Sequence, residues 1–217
     1  MILGIYGAGG LGREVLELAG IINRKNNIWE DFIFIIDGES GNDVNGVKVY
    51  SYDEAVSRFK GNLEVSMGVG EPAVREKLFA KLEKDGIPAA TLIHPDVFIP
   101  ETTEIGKGVT IQMGNFISCN AVIEDYVYIQ PHCNIGHNDI LKKGCMVSGF
   151  CNLAGGVTVG EYTYLGISSC FKEGVSIGDY SIIGMASAVY KDIPDSVIAM
   201  GNPARPMKKN EERHVFK

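Results

Sequence analysis

Hydrophobic residues recur at every sixth position over the second half of the chain. From Ile93 to Val189, seventeen successive positions carry only Ile, Leu, Val or Phe. This period is typical of a hexapeptide repeat, in which short parallel strands stack as coils of a triangular prism with three faces per coil. The pattern therefore predicts an all-β parallel β-helix in this half of the protein.

Small or moderately sized residues occupy the position two before each of these aliphatic residues. From Val97 to Ser187 this position holds only Val, Thr, Ala, Ser, Cys, Asn or Asp, and glycine often follows the aliphatic residue. We expect the aliphatic side chains to fill the prism and the small ones to relieve crowding at its corners. Asp139 is the only acidic or basic residue in this register, so we expect its carboxylate to be buried.

The first ninety residues alternate apolar segments with amphipathic ones. The segment ILGIYG predicts a strand, GAGGLG a loop and REVLELAGII a helix, and the strand DFIFIIDG ends at Asp37. A third strand, LEVSMGVG, precedes the helix EPAVREKLFAKLEKDG, which has Pro72 near its start and Gly86 just past its end. Such alternation predicts a small parallel α/β domain over 1–90, followed by the β-helix domain over 91–217.

The loop of the first strand–helix unit is rich in glycine, with the spacing G-x-G-G-x-G. Glycines at such a turn let backbone N–H groups approach a ligand phosphate at a helix N-terminus. Asp37, at the end of the next strand, is suited to bind a ribose or a base. A turn that uses its glycines only for packing is the alternative, and the spacing and short length favour half a nucleotide site over a full dinucleotide fold.

Charge and composition restrict the class of protein. The net charge is −7, without a lysine or arginine run, which argues against nucleic acid or an anionic membrane as the main partner. No apolar run approaches the roughly 18 residues that span a bilayer. The start, MILGIYGAGGLG, lacks a basic segment and a cleavage site, so we read no signal peptide and expect a cytoplasmic protein.

Five cysteines are present, and none belongs to a C-x-x-C pair. Reduced thiols, mostly buried, are the simplest interpretation of an odd number. No zinc site built from cysteines fits this spacing, and we expect no metal. Of the four histidines, His132 and His137 lie five residues apart, whereas His94 precedes a proline and His214 lies in a polar tail.

The combination of a small Rossmann-like domain that opens with YGAGGLG, a hexapeptide repeat and a closing GNPARPMKK resembles one family over nearly the whole chain. This family is the sugar acyltransferases typified by sialic acid O-acetyltransferase and UDP-4-amino-sugar (bacillosamine) N-acetyltransferase. The resemblance implies a left-handed β-helix, a nucleotide sugar held by the N-terminal domain and acetyl-CoA held by the β-helix. It also implies a homotrimer with active sites between neighbouring subunits.

The resemblance assigns roles to individual residues. The catalytic histidine of the family corresponds to His137, and its oxyanion amide to Gly155. The remaining assignments are contacts. Substrate contacts fall on Gly9, Gly10, Leu11, Asp37 and Gly68, and acetyl-CoA contacts on Met146, Ile167 and Met185, with Lys191 or Arg205 meeting the phosphates of the coenzyme.

The chain departs from the family at two positions. Many relatives have histidine where Leu11 stands, and bacillosamine-type enzymes follow the catalytic histidine with glutamate where this chain has Asn138. In the family that glutamate makes the histidine more basic, and Asn138 and Asp139 are the two candidates to replace it here. We hypothesise that Asp139 either orients His137 or accepts hydrogen bonds from local backbone; a simple cap of a corner turn is the alternative.

The resulting prediction is an acetyl-CoA-dependent N-acetyltransferase of a nucleotide-linked amino sugar, in bacterial surface glycan biosynthesis. His137 would remove a proton from the amine as it attacks the thioester, and Gly155 would stabilise the oxyanion. Three alternatives stay open: a sugar O-acetyltransferase, a non-catalytic nucleotide-sugar-binding protein, and a zinc lyase. The last rests on the spacing of His132 and His137, which resembles two zinc ligands of γ-class carbonic anhydrases.

Overall fold

The first part of the protein is a parallel α/β domain, in a computed structural model that describes residues 1–215. Its strands are β1 (Ile2–Tyr6), β2 (Asp31–Ile36), β3 (Val49–Ser51) and β4 (Leu63–Met67), and its helices are α1 (Gly10–Asn26), α2 (Tyr52–Arg58) and α3 (Pro72–Asp85). The strands pair in the order β3-β2-β1-β4, and every pair is parallel. The predicted parallel α/β architecture is therefore confirmed.

Helix α1 forms because its apolar residues recur at helical spacing. Val15, Leu18, Ala19 and Ile22 are all buried, one turn apart along a single face. The helix begins at Gly10, three residues earlier than the sequence indicated, so that the last glycines of the loop form its first turn. The glycine-rich segment therefore supplies the unpaired backbone N–H groups of the first turn of α1.

The second part is a prism of short parallel strands. These strands are β5 (Leu92–Ile93), β6 (Glu104–Ile105), β7 (Thr110–Ile111), β8 (Phe116–Ile117), β9 (Val122–Ile123), β10 (Tyr128–Ile129), β11 (Asn134–Ile135), β12 (Ile140–Leu141), β13 (Met146–Val147), β14 (Asn152–Leu153), β15 (Thr158–Val159), β16 (Tyr164–Leu165), β17 (Cys170–Phe171), β18 (Ser176–Ile177), β19 (Ile182–Ile183) and β20 (Ala188–Val189). Paired residues such as Tyr128 and Met146 lie eighteen positions apart, which is one coil.

Three sheets form the faces of the prism. Face 1 contains β5, β7, β10, β13, β16 and β19 and continues into β21 (Val197–Gly201) and β22 (Ala204–Lys209). Face 2 contains β8, β11, β14, β17 and β20, and face 3 contains β6, β9, β12, β15 and β18. The chain passes from face 1 to face 2 to face 3 in every coil, so each corner separates two defined faces.

The interior confirms the six-residue pattern. From Ile111 to Val189, the aliphatic position of every repeat is buried, and from Val97 to Ser187 so is the small residue two positions earlier. Glycine follows the aliphatic residue where successive coils approach most closely. At Gly136, for example, an added Cβ would lie 2.0 Å from the carbonyl oxygen of Ala154 in the next coil.

Each corner turns through a residue in the left-handed conformation. These residues recur every six positions, with φ near +60°, and most of them are not glycine. They fall into three edges of the prism. Edge 1–2 carries Gly114, His132, Phe150, Ser168 and Ala186; edge 2–3 carries Asn120, Asn138, Gly156 and Gly174; edge 3–1 carries Gly108, Tyr126, Gly144, Tyr162 and Tyr180.

The α/β domain packs on face 1 and on edge 3–1. Tyr128 and Met146, which point outward from face 1, share a buried cluster with Leu18 of α1. At the edge, the ring of Tyr126 stacks on Phe79 of α3 with centroids 3.9 Å apart. Face 1 is therefore the side of the prism that carries the glycine-rich loop.

The prism is followed by an antiparallel hairpin formed by β21 and β22. The GNPARP segment makes its turn, which the sequence analysis did not predict as a hairpin. Strands β3 and β4 are likewise joined by a short helix, α2, that the sequence analysis missed. Within residues 1–215, the helices are too short or too polar to cross a bilayer.

Candidate active site

His137 lies on edge 2–3 with its side chain exposed. Its Nδ1 is 3.1 Å from Oδ1 of Asn138, the next residue, which adopts the left-handed corner conformation at φ 60°. If the amide oxygen faces the ring, Nδ1 carries the hydrogen and Nε2 presents a lone pair to solvent. In this tautomer Nε2 is the ring nitrogen that can accept a proton at the surface of the prism.

Gly155 lies directly beside this imidazole, one coil further along the prism. A Cβ added at Gly155 would be 2.3 Å from Cε1 and 2.4 Å from Nε2 of His137, so only glycine leaves space for the ring. The carbonyl oxygen of His137 accepts a hydrogen bond from the Gly156 N–H at 2.8 Å. The structure thus brings together the two residues predicted to be the base and the oxyanion amide.

Asp139 is fully buried, as its place in the repeat predicted. One carboxylate oxygen accepts from the Gly136 N–H at 2.6 Å and the other from the Val157 N–H at 2.8 Å. Burial raises the pKa of Asp139 to about 6, while these backbone donors and His137 act in the opposite direction. The carboxylate therefore holds the backbone on both sides of the corner, and Asn138 is the residue that contacts the His137 ring.

The glycine-rich loop lines a cavity of about 410 Å³ between the α/β domain and face 1. Its lining includes Gly7, Gly9, Gly10, Leu11, Gly68, Val69, Gly70, Gln130, Met146 and Tyr164. An added Cβ at Gly9 or Gly10 would meet nothing within 4 Å, whereas one at Gly12 would lie 1.8 Å from the Gly7 carbonyl oxygen. The loop therefore combines packing glycines with two glycines that face open space.

Asp37 lies just past the end of β2, and its side chain is exposed. Its Oδ1 accepts a hydrogen bond of 2.6 Å from the Tyr6 hydroxyl and lies 3.6 Å from Nζ of Lys81. Burial and the neighbouring Asp37 raise the pKa of the Tyr6 phenol far above its ordinary value, so Tyr6 stays a donor. This contact fixes the carboxylate at the carboxyl end of the sheet, where α/β domains bind ligands.

The predicted coenzyme contacts divide into two groups. Met146 is buried on face 1 and lines the glycine-loop cavity. Ile167 and Met185 lie one coil apart beside edge 1–2, with 45% and 74% of their surface exposed. Lys191 and Arg205 are also exposed, and Arg205 donates to the carbonyl of the preceding residue, Ala204, at 3.3 Å.

His132 and His137 lie on different edges, at opposite ends of face 2. The His132 ring stacks on Phe150 with centroids 5.2 Å apart and lies against Gly114. Residues 1–215 contain no cluster of three or more histidine, cysteine or carboxylate side chains that could hold a metal ion. His94 is buried and accepts from the Asp96 N–H at 3.3 Å, while the exposed His214 lies 4.0 Å from Glu71.

Comparison with known proteins gives a consistent result over both parts of the chain. Residues 3–82 match the PglD N-terminal domain. A GDP-perosamine N-acetyltransferase of Escherichia coli O157:H7 is 28% identical over 96% of this chain and 97% of its own length. The structure superposes on a perosamine N-acetyltransferase from Caulobacter crescentus, solved with CoA and GDP-perosamine, with a TM-score of 0.88, at 28% identity over 96% and 98% of the two chains.

Over nearly its whole length the chain is similar to hexapeptide-repeat sugar acyltransferases. The acetyltransferase domain of PglB from Neisseria gonorrhoeae, in complex with acetyl coenzyme A, is a further relative at 25% identity, with a TM-score of 0.87 over 95% of this chain and 98% of the other. The predicted fold class, an α/β domain followed by a left-handed parallel β-helix, is confirmed. The predicted enzyme class, an acetyltransferase, is confirmed as well.

The acyltransferase also presents residues that the sequence analysis did not assign. Gln130 and Tyr164 line the glycine-loop cavity from face 1, together with the predicted Met146. Met146 lies sixteen residues after Gln130 and eighteen before Tyr164, so their place on the face could have been found from the repeat. The repeat alone does not indicate which side of the prism the α/β domain covers.

Proposed function

We propose that this acyltransferase transfers the acetyl group of acetyl-CoA to the amino group of a nucleotide-linked amino sugar, with His137 as general base. The observation that carries the proposal is the exposed His137 ring seated against Gly155, with Asn138 at its Nδ1. The relatives named for GDP-perosamine make GDP-perosamine the first acceptor to test. We place the reaction in the cytoplasm and in surface glycan biosynthesis.

The chemistry follows from the geometry of this edge. Nε2 of His137 takes a proton from the sugar amine as the nitrogen attacks the thioester carbonyl. The Gly155 N–H, which has no hydrogen-bond acceptor within residues 1–215, stabilises the negative charge that develops on the carbonyl oxygen. The C–S bond then breaks, and the proton held by His137 passes to the departing CoA thiolate, so no acyl-enzyme forms.

The position of His137 relative to the glycine-loop cavity supports an active site shared between chains. His137 is on edge 2–3, and in a triangular prism this edge lies opposite face 1, which carries the cavity. One chain therefore keeps the base and the nucleotide pocket on opposite sides. In a homotrimer, the His137 edge of one subunit would meet the cavity of its neighbour.

Exposed apolar side chains support the same assembly. Met113, Phe116, Phe150, Ile167 and Met185 lie beside edge 1–2 or on face 2, each at least 45% exposed. Large exposed apolar side chains grouped on one edge and the adjoining face are typical of a surface that another chain covers. The predicted acetyl-CoA contacts at Ile167 and Met185 would then lie close to the His137 of the neighbouring subunit.

The experiment for the base follows CoA thiol release with GDP-perosamine and acetyl-CoA. His137→Ala should lower kcat by about 100- to 10,000-fold, the range expected for loss of a general base. The matched control is His132→Ala, which removes the other histidine of the same coil and should keep kcat within about tenfold. Equal turnover by wild type and His137→Ala would refute the proposed role.

A mixing experiment tests the shared site. His137→Ala chains and chains with a blocked pocket, Gly9→Trp, are each inactive alone, and they are denatured and reassembled together. If each site takes its base and its pocket from different subunits, random assembly of equal amounts restores about a quarter of the sites. Sites contained within one chain would give no recovery.

A further inference from the structure

Gln130 occupies the junction between two cavities of this protein. It follows β10 on face 1 and is half-buried. It lines the glycine-loop cavity and also a second cavity of about 430 Å³, formed against α1 by residues that include Glu14, Phe150 and Ile167. A ligand that extends from the glycine loop towards Ile167 must therefore pass the Gln130 side chain.

A hydrogen bond fixes the orientation of its amide. Oε1 of Gln130 accepts from the Gly149 N–H at 3.0 Å. Because a backbone N–H cannot pair with an amide NH2 group, the nitrogen of Gln130 must point away from Gly149. Within residues 1–215 this NH2 group has no acceptor, so it offers two donors to whatever occupies the junction.

The surroundings indicate which part of a nucleotide sugar lies there. At one end, the N–H groups that begin α1 suit the diphosphate. At the other end, the second cavity is apolar where Phe150 and Ile167 line it, and acidic at Glu14 and Glu17, which disfavours a phosphate. Between these two regions, the uncharged NH2 of Gln130 is suited to bind an uncharged part of the ligand that carries acceptor oxygens.

We propose that Gln130 positions the hexose of the nucleotide sugar by donating from its side-chain NH2 to a sugar oxygen. This inference rests on the proposed function and extends it to the recognition of the sugar itself. A neutral carboxamide donor favours hexoses with a hydroxyl at the contacted carbon over deoxy analogues, because the deoxy sugar leaves a partly buried donor unpaired. Gln130 is thus a specificity-determining residue for the acceptor.

Two variants separate this role from a purely structural one. Gln130→Glu keeps an oxygen for the Gly149 N–H but replaces the donor with an acceptor. Gln130→Met has a similar length and loses both. If Gln130 only caps Gly149, the Glu variant should behave as wild type and the Met variant should be less stable and bind substrate less well. If it binds the hexose, the Glu variant should keep its Tm yet lose affinity.

The measurement is calorimetric titration of the intact protein with GDP-perosamine and, separately, with GDP, without acetyl-CoA. We expect Gln130→Glu to weaken GDP-perosamine binding at least about tenfold while GDP binding changes less than about twofold. Unchanged GDP-perosamine affinity in the Glu variant would overturn the inference. Equal weakening of both ligands would also overturn it, because repulsion of the diphosphate would then suffice.

This titration and the thiol-release assay together distinguish this inference from the proposed function. Wild-type protein that fails to bind GDP-perosamine refutes that acceptor, and the Gln130 assignment to its hexose falls with it. If wild-type protein binds the ligand but His137→Ala turns over as fast as wild type, only the assignment of His137 as the base is refuted. Tight wild-type binding with an unaffected Gln130→Glu variant refutes only the role of Gln130.

Discussion

The imidazole of His137 rests against the Cα of Gly155, the equivalent residue of the next coil. The ring occupies the space that any side chain at position 155 would need, 2.3 Å from an added Cβ. Asn138 contacts the same ring at Nδ1, 3.1 Å away. The coil lies on one side of the proposed base and the adjacent amide on the other, and the two together define the position of the ring.

Gly155→Ala should displace the His137 ring and lower kcat by about 10- to 1,000-fold, because a misplaced base loses its alignment with the reacting atoms. No positive φ occurs at position 155, so alanine can adopt the backbone conformation. The ring is exposed, so a displaced ring can move into solvent, and we expect a loss of less than about 2 kcal/mol in unfolding free energy. Steady-state kinetics and thermal denaturation measure the two effects.

Gly20→Ala is the control for the glycine substitution. An added Cβ at this position in α1 meets nothing closer than 3.7 Å, so alanine should leave kcat unchanged and stabilise the helix by about 0.5–1 kcal/mol. If Gly155→Ala retained full activity, the contact between His137 and position 155 would have no part in catalysis.

Asn138→Asp should shift the pH dependence of the reaction. Aspartate has nearly the same shape and tolerates the left-handed corner conformation of Asn138, φ 60°. Its carboxylate, next to Nδ1, stabilises the protonated imidazole. A higher pH is then needed before His137 loses this proton and can act as a base. The acid limb of kcat/KM should move to higher pH by about one unit. An unmoved limb would mean that Asn138 does not act on the ring.

The repeat made the β-helix predictable because its period is independent of local propensity. Every aliphatic residue from Ile111 onward occupies the interior position that a step of six assigns to it. The short segments β3 and α2 escaped the analysis because three residues of strand and seven of helix are too few to show a regular pattern. Helix α2 forms instead from a local signal, the Ser51 side chain, which accepts from the Glu54 N–H.

The candidate site was less predictable than the fold. The pairing of His137 with Gly155 follows from their separation of one coil, and the family resemblance supplied their roles. The junction at Gln130 could not be predicted, since it depends on how α1 packs against face 1. The partners of Asp139 are backbone N–H groups, which no pattern of side chains reveals.

Two glycines of the same loop should respond differently to substitution. Gly12→Ala places a Cβ 1.8 Å from the Gly7 carbonyl oxygen, so it should lower the free energy of unfolding by about 2–4 kcal/mol. Gly9→Ala meets nothing within 4 Å and lies at the cavity, so it should raise KM for the nucleotide sugar several-fold and leave Tm unchanged. Denaturation and kinetics on both variants test the pair, and an unstable Gly9→Ala with normal KM would support the packing-only interpretation.

Asp139 should make the stability of the protein depend on pH. Burial raises the pKa of its carboxyl to about 6 in the folded protein, from a reference value of 3.8. The folded state therefore binds this proton more tightly than the unfolded state, and stability contributed by the neutral form is lost as pH rises from about 4 to about 6. By linkage, the loss amounts to about 3 kcal/mol at pH 7.

Asp139→Asn removes this titration while keeping the shape of the side chain. The amide oxygen can still accept from one of the two N–H groups at Gly136 and Val157, but the amide NH2 faces the other. This unpaired contact costs about 1–3 kcal/mol, and the cost does not vary with pH. The variant should thus be less stable than wild type at pH 4.5, and the difference should shrink or reverse at pH 7.5. Denaturant titrations at one protein concentration measure it, with Asp43→Asn, an exposed carboxylate, as the control. A wild-type advantage that grows between pH 4.5 and 7.5 would show that the two backbone donors outweigh the effect of burial.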